Sequence, residues 1–287
     1  MSLFDQLVDE ALRSTPQFAP LRVVVEKELL HHDILREMSR AGFLHKLTFI
    51  GGTCLRTCYG SPRLSEDLDF TGGADFVKDD LAELGSVLVK RLEVKYGLPV
   101  SVSEPVREEG NVDTWTLRLV TRPERKNLPA QRINIDICAL DSHDRRPMML
   151  RNHYGIDMGT SGLIVQAQSR EEILADKIVA FAMRPNRLKN RDLWDIVWLH
   201  QQGVALPVEL VLRKVDDRQL ERGDFLSRLK ERITLLTSEP ACRKDFLAEM
   251  QRFLPPEVVA ETLEQEAFWS FLVDLVANTC AQVVRWV

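Results

Sequence analysis

Asp67 and Asp69 stand one residue apart. Side chains alternate along a strand, so an extended chain here puts both carboxylates on one face and turns Leu68 and Phe70 toward a core. Two adjacent carboxylates repel each other unless a cation lies between them. A divalent metal is the usual answer, and Mg²⁺ takes hard oxygen ligands together with substrate phosphates. Upstream, Gly51 and Gly52 make a backbone step without side chains, where a ligand can come close. The helix start predicted after them offers free N–H groups to anions. A phosphate grip and a metal grip in one short segment imply phosphoryl or nucleotidyl transfer.

A third carboxylate lies further along. In Arg132-Ile-Asn-Ile-Asp-Ile-Cys138 the residues Ile133, Ile135 and Ile137 take one face and Asn134 and Asp136 the other. Asp67, Asp69 and Asp136 on strands fit a two-metal nucleotidyl-transfer site, with Asp136 completing the second metal position and helping to take a proton. The plainer alternative is a set of solvated acids on an edge strand.

The elements that must position these groups read as follows. Residues 21–42 form an amphipathic helix with Val24, Leu29, Leu30, Ile34, Leu35 and Met38 at helical spacing and Gly42 as its C-cap. A strand at 47–50 enters the glycine step, a short helix covers Thr53 to Tyr59, and a strand covers 67–70. A helix at 78–96 is followed by strands at 100–103, 113–120 and 132–138. From Ser169-Arg-Glu-Glu172, which has the spacing of a capping box, helix dominates: 169–183, 189–202, 207–220, 222–236, 240–252 and 262–284. The expected organisation is α+β: a first domain at 1–165 with a mixed sheet and flanking helices, then an all-helical domain at 166–287.

Composition narrows the class. The chain has 287 residues, 45% hydrophobic and 28% charged, so a sizeable core is expected. A net charge of −5 excludes a global basic field for nucleic acid but leaves local patches open. No unbroken run of about 18 apolar residues occurs, so no membrane span is expected. The start, Met-Ser-Leu-Phe-Asp-Gln, lacks a signal-peptide pattern. Five cysteines without a Cys-x-x-Cys read as reduced, mostly buried thiols of a cytoplasmic protein.

Residues 49–70 resemble the opening motif of polymerase-β-like nucleotidyltransferases, Gly-Gly or Gly-Ser, a helix, then Asp-x-Asp. The fuller form here is Gly51-Gly52-Thr53-x-Leu55-Arg56-x-x-Tyr59, then Arg63-x-Ser65-x-Asp67-x-Asp69-Phe70. It resembles the AbiEii/AbiGii nucleotidyltransferase toxin family. A second match is Arg170-Glu-Glu-Ile-Leu-Ala-Asp-Lys-Ile-Val-Ala180 with Lys189-Asn-Arg-Asp-Leu-Trp-Asp195. The resemblance implies a polymerase-β-like domain, Mg²⁺ (or Mn²⁺) and an NTP. For some members it implies nucleotide addition to the 3′ end of tRNA and a cognate antitoxin. It implies Gly51, Gly52 and Thr53 as the phosphate step, Asp67 and Asp69 as metal ligands, and Lys177 and Asp192 as functional residues. Arg63, Ser65 and Arg191, in the same motifs, are further candidate phosphate contacts.

Lys177 is suited to neutralise phosphate charge. Arg191 and Asp195 are spaced to pair along their helix, and Asp192 in a first turn is favoured there in any case. Trp194 and Trp198 read as core. Arg56 reads as a brace for the carboxylates. Cations at Arg184, Arg187, Lys189 and Arg191, and at Arg122, Arg125, Lys126 and Arg132, are either solvated loops or a local RNA or triphosphate patch. Two other readings stay open: a nucleotidyltransferase acting on a small molecule or protein side chain, and a non-catalytic nucleotide-binding module.

Overall fold

The computed structural model describes residues 1–106, 110–125, 128–185 and 187–286. The chain divides into two compact units, Met1–Gln168 and Ser169–Val287.

In the first unit α1 (Leu3–Ser14) starts at Ser2, whose hydroxyl accepts the Asp5 N–H, and α2 (Arg22–Arg40) follows. Strand β1 (Thr48–Ile50) runs directly into α3 (Gly51–Cys54), which widens into one π turn, Leu55–Tyr59, and stops at left-handed Gly60. Then come β2 (Leu68–Thr71), α4 (Leu84–Tyr96), β3 (Val100–Ser103), β4 (Val112–Leu119), β5 (Gln131–Cys138), β6 (Arg145–Met149) and β7 (Ile164–Gln168). The seven strands form one mixed sheet in the order β3-β4-β5-β2-β1-β7-β6. Parallel pairing sets Asp69 beside Asp136, and antiparallel pairing sets Ile50 beside Asp69. The glycine step and all three acids therefore meet at the centre of the sheet.

The apolar partners of this register explain it. Phe49, Leu68, Phe70, Ile133, Ile135 and Ile137 are at most 1% exposed, and the Phe49 and Phe70 rings stack at 5.1 Å. Each buried side chain of this size contributes about 1.5–3 kcal/mol, and a one-residue slip would turn the whole set to the other face.

The expected α+β architecture is present, with differences that have physical causes. Strands β6 and β7 were not expected. β6 carries Arg145-Arg-Pro147, a poor strand sequence tolerated because β6 is the sheet edge. The helix expected from 78 starts at Leu84, after a 3₁₀ turn at Lys78–Leu81. Helix α2 buries the expected apolar residues but also Glu26, Glu28, His31, His32, Asp33 and Glu37. Each of these six is reached by groups distant in sequence or on the helix itself, such as Thr160 on His32 at 2.9 Å and Gln131 on Glu26 at 2.5 Å.

The second unit consists of α5 (Arg170–Met183), α6 (Asn190–Gln201), α7 (Val208–Asp217), α8 (Arg222–Ser238), α9 (Ala241–Met250), a short α10 (Pro256–Val258) with a π turn at Val259–Leu263, and α11 (Glu266–Trp286). Ser169 caps α5 by accepting the Glu172 N–H at 3.1 Å, while the Glu172 carboxylate meets buried Lys214 of α7. Lys214 also pairs with Asp176 at 3.3 Å, so α7 grips α5 over two turns. Trp194 and Trp198 are core, as expected, each 7% exposed. Helix α11 has no unbroken apolar run of about 18 residues. It averages a hydropathy of 1.4 over its most apolar stretch and is long and apolar enough to cross a membrane by length and composition. Asp274, Asn278 and Thr279 interrupt its apolar residues, and it buries Leu272, Val276, Thr279, Cys280 and Val283 within the helical unit.

Candidate active site

In the first unit the site is organised by what the two glycines lack. Gly51 has φ +74°, a left-handed conformation that an L side chain resists. A Cβ there would lie 2.7 Å from Asp69 Oδ2, so the carboxylate rests directly on the glycine backbone. A Cβ on Gly52 would lie 2.2 Å from Arg63 Nη2, so the guanidinium occupies the space beside that residue. A carboxylate and a guanidinium thus lie against successive residues of one bare backbone step.

Thr53 and Ser65 are both buried, and their hydroxyls bond at 2.7 Å. Thr53 Oγ1 also bonds the Asp67 carbonyl. These two residues tie the glycine helix to the segment that enters the Asp-x-Asp strand. Asp67 Oδ1 accepts the Asn134 N–H at 3.1 Å, and Asp136 Oδ1 accepts the Thr114 hydroxyl at 2.7 Å. All three acids are half-buried.

Among the described residues no three His, Cys, Asp or Glu side chains converge as a ready-made metal cage. The expected set Asp67, Asp69 and Asp136 is therefore not closed by itself, because Asp67 leans on Asn134 and Asp136 on Thr114. The residues nevertheless fit a divalent cation of the Mg²⁺ kind. Their donors are hard oxygens on one sheet face, the missing Cβ of Gly51 leaves the backbone beside Asp69 open, and Mg²⁺ usually takes one or two carboxylates and completes its shell with water and phosphate.

Arg56, expected to brace the carboxylates, pairs instead with Glu28 of α2 at 3.2 Å. Glu28 also accepts the Ser65 N–H at 2.9 Å and the Tyr154 hydroxyl at 2.5 Å, while Arg56 Nη1 donates to the Ser61 carbonyl at 3.1 Å. The segment between Ser61 and Ser65, which carries Arg63, is held at both ends by one buried ion pair. Burial alone would raise the Glu28 pKa, but Arg56, the Tyr154 hydroxyl, His31 and the Ser65 N–H outweigh it and hold the carboxyl below its ordinary range. The sequence gives Glu28 no motif and nothing in the helical pattern marks it.

The second unit holds its own charged cluster. Lys177 Nζ of α5 lies 2.5 Å from Asp192 Oδ1 and 2.8 Å from Asp195 Oδ2, both on α6. Arg184 lies 3.6 Å from the other Asp192 oxygen. Burial pushes the Asp192 carboxyl up, but Lys177, Lys189 and Arg184 together bring it down to about 2. Burial lowers the Lys189 pKa, with Asp192 opposing and the neighbouring cations adding to the fall. Lys189, which the sequence showed at the head of the second motif and in a cationic run, is thus a member of this cluster. Arg191, a candidate phosphate contact, sits 3.3 Å from Glu249 of α9 and 4.7 Å from the centre of the Phe253 ring. Asn190 reaches the same Glu249 at 3.0 Å.

Of the second cationic run, Arg122 pairs with Asp5 at 3.2 Å and Glu26 at 3.1 Å. Arg125 and Arg132 are exposed, and Lys126 lies outside the described residues. The five cysteines are free, with Cys54, Cys58 and Cys280 buried.

A family model described as nucleotidyl transferase AbiEii toxin, type IV toxin–antitoxin system, matches residues 33–272. Among solved structures, the chain is similar to MenT4, a nucleotidyltransferase toxin from Mycobacterium tuberculosis H37Rv, with TM-score 0.59 and 17% identity over 97% of this chain and 92% of that one. It is also similar to JHP933 from Helicobacter pylori, with TM-score 0.49 and 18% identity over 91% of this chain and 95% of that one. At such identities a likeness speaks for the fold alone. No curated protein matches the chain in sequence.

Proposed function

The chain belongs to the AbiEii family of nucleotidyltransferases, the toxins of type IV toxin–antitoxin systems, and we propose that it transfers a nucleoside monophosphate from an NTP to the 3′ end of tRNA. The family implies an antitoxin partner. The observation that carries the site assignment is the packing at the glycine step, with Asp69 against Gly51 and Arg63 against Gly52.

In this reading Gly51, Gly52 and Arg63 receive the triphosphate, while Thr53 and Ser65 fix the loop that presents Arg63. Asp67 and Asp69, with Asp136 beside them, would hold Mg²⁺ (Mn²⁺ as an alternative), which when bound would neutralise phosphate charge and make the acceptor hydroxyl more acidic. Asp136 takes the proton of that hydroxyl. The acceptor oxygen bonds to the α-phosphorus, the bond from that phosphorus to the bridging oxygen breaks, and pyrophosphate leaves. Within the second unit, Asp192 and Asp195 set the direction of the Lys177 ammonium, the lysine that the family pattern marks as functional. Arg191, held by Glu249 and Phe253, steadies the start of α6. A tRNA acceptor puts this work in the cytoplasm.

The test incubates the purified protein with Mg²⁺, total tRNA and each α-³²P-labelled NTP in turn, with Asp69→Ala as control. Label on tRNA with the wild type and none with the variant supports the reading and names the nucleotide. Folded wild type that labels protein or a small molecule but never RNA sinks the tRNA assignment.

A further inference from the structure

The polar face of the sheet continues past the carboxylates. On β5, Arg132, Asn134 and Asp136 share a face by alternation, and register sets Arg132 directly opposite Arg118 of β4. Both arginines are exposed, and among the described residues neither side chain has an ion-pair or hydrogen-bond partner. Ser101 of β3 lies beside Arg118 in turn. Like charges directly opposite across two strands destabilise a sheet. This chain carries an excess of acids, 43 against 38 Lys and Arg, and pairs many of its other cations closely, so two facing arginines without an anion point to an anion from outside.

Strand order fixes which anion. The glycine step follows β1, on one side of the Asp67/Asp69 strand, while Asp136 and the two arginines lie on the other side, on β5 and β4. Arg132 is four residues along β5 from Asp136, about 13 Å at ~3.3 Å per residue. A triphosphate gripped at Gly51 and Gly52 lies toward β1. In a displacement at phosphorus the incoming oxygen and the leaving group stand roughly in line on opposite sides. A polymer whose terminal hydroxyl meets Asp136 from the β5 side would run its backbone over β5 and β4. At ~3.4 Å per stacked nucleotide, 13 Å is about four nucleotides back from the terminus.

We propose that Arg118 and Arg132 form a phosphate-binding pair for the backbone of the acceptor RNA, a few nucleotides before the end that receives the nucleotide. The inference rests on the nucleotidyl-transfer reading above and adds the side from which the acceptor enters.

The experiment measures the Kd of the full chain for deproteinised total tRNA across a salt series, and KM for both tRNA and NTP, in wild type, Arg118→Ala, Arg132→Ala and the double variant. Each single substitution should raise the tRNA Kd about three- to tenfold and reduce the salt slope by about 0.7. KM for the NTP should stay within twofold, and Arg→Lys variants should recover most of the affinity. Thermal unfolding should not be lowered, since each change removes a repulsion. Unchanged tRNA affinity in the double variant overturns the proposal. So does a rise confined to the NTP KM, which would give the pair to the triphosphate. Wild type that binds and labels no RNA fails the acceptor reading itself, and with it this one. Wild type that labels RNA with the double variant unimpaired fails only the arginine pair.

Discussion

Gly51→Ala is the sharpest perturbation of the site because its cost has two separable parts. The left-handed φ of +74° costs an L residue about 1–2 kcal/mol of stability. The new methyl would also meet Asp69, at 2.7 Å from Oδ2 and 3.3 Å from both Cβ and Cγ. Ordinary carbon–oxygen contacts begin near 3.3 Å and carbon–carbon contacts near 3.5 Å, both as rough limits. Turning the carboxylate relieves the first contact but not the other two, so the side chain must shift by about 0.2 Å, or by about 0.6 Å if the carboxylate keeps its orientation. A displacement of about 1 Å at a reacting centre costs on the order of a hundredfold in rate, so a loss of kcat between about threefold and fifteenfold is expected. Gly52→Ala is the matched control. Gly52 has no left-handed φ, and its Cβ meets the far end of Arg63, so that variant should raise the KM for NTP and spare kcat more. Initial rates of α-³²P transfer over a range of NTP, with thermal unfolding of each protein, separate the two. Folded Gly51→Ala protein with kcat within twofold of wild type would refute the placement of Asp69.

Three further outcomes follow from buried groups. Tyr154→Phe removes a donor from Glu28 and Tyr96→Phe removes one from Asp33, both on α2. Each should cost about 1–2 kcal/mol in denaturant melts, yet only Tyr154→Phe should raise the NTP KM, about threefold or more, because only Glu28 holds the Arg63 segment. Asp192→Asn should cost about 2–3 kcal/mol at pH 7, since the carboxyl is held near 2 in the fold against 3.8 unfolded. That contribution is present above pH 4 and is lost as pH falls toward 2, so urea melts of the two proteins should converge there. His32 is held neutral, its pKa brought down to about 4 mainly by burial. The unfolded chain therefore takes the proton first, and up to about 3 kcal/mol of stability is lost as pH falls from about 6.5 to 4, a slope that His32→Asn should flatten.

The chemistry of the first unit was legible because local rules dictate it. Alternation alone puts Asp67 and Asp69 on one face and a Gly-Gly step needs no partner to be read, while Asp136 joins them through the register that sets it beside Asp69. What stayed hidden depends on residues far apart in the chain. Glu28 draws on Arg56, Ser65 and Tyr154, as many as 126 residues away, and an amphipathic pattern assigns it to solvent. Arg191 also forms an ion pair with Glu249, in a segment that carries no recognisable motif and so could not be read from the spacing along α6. Strand β6 was missed because Arg145, Arg146 and Pro147 argue against a strand everywhere except at an edge. The facing of Arg118 and Arg132 is a fact of register, which the two strand sequences do not state separately.

The central claim is that the α-phosphate moves and pyrophosphate leaves. The most direct measurement follows the same NTP labelled at the α or the γ position, with Mg²⁺ and total tRNA, in wild type and Asp69→Asn. The account predicts α-label on the RNA, γ-label in pyrophosphate, and neither with the variant. The γ-label appearing on the acceptor, or released as free phosphate with no α-label transferred, would contradict it.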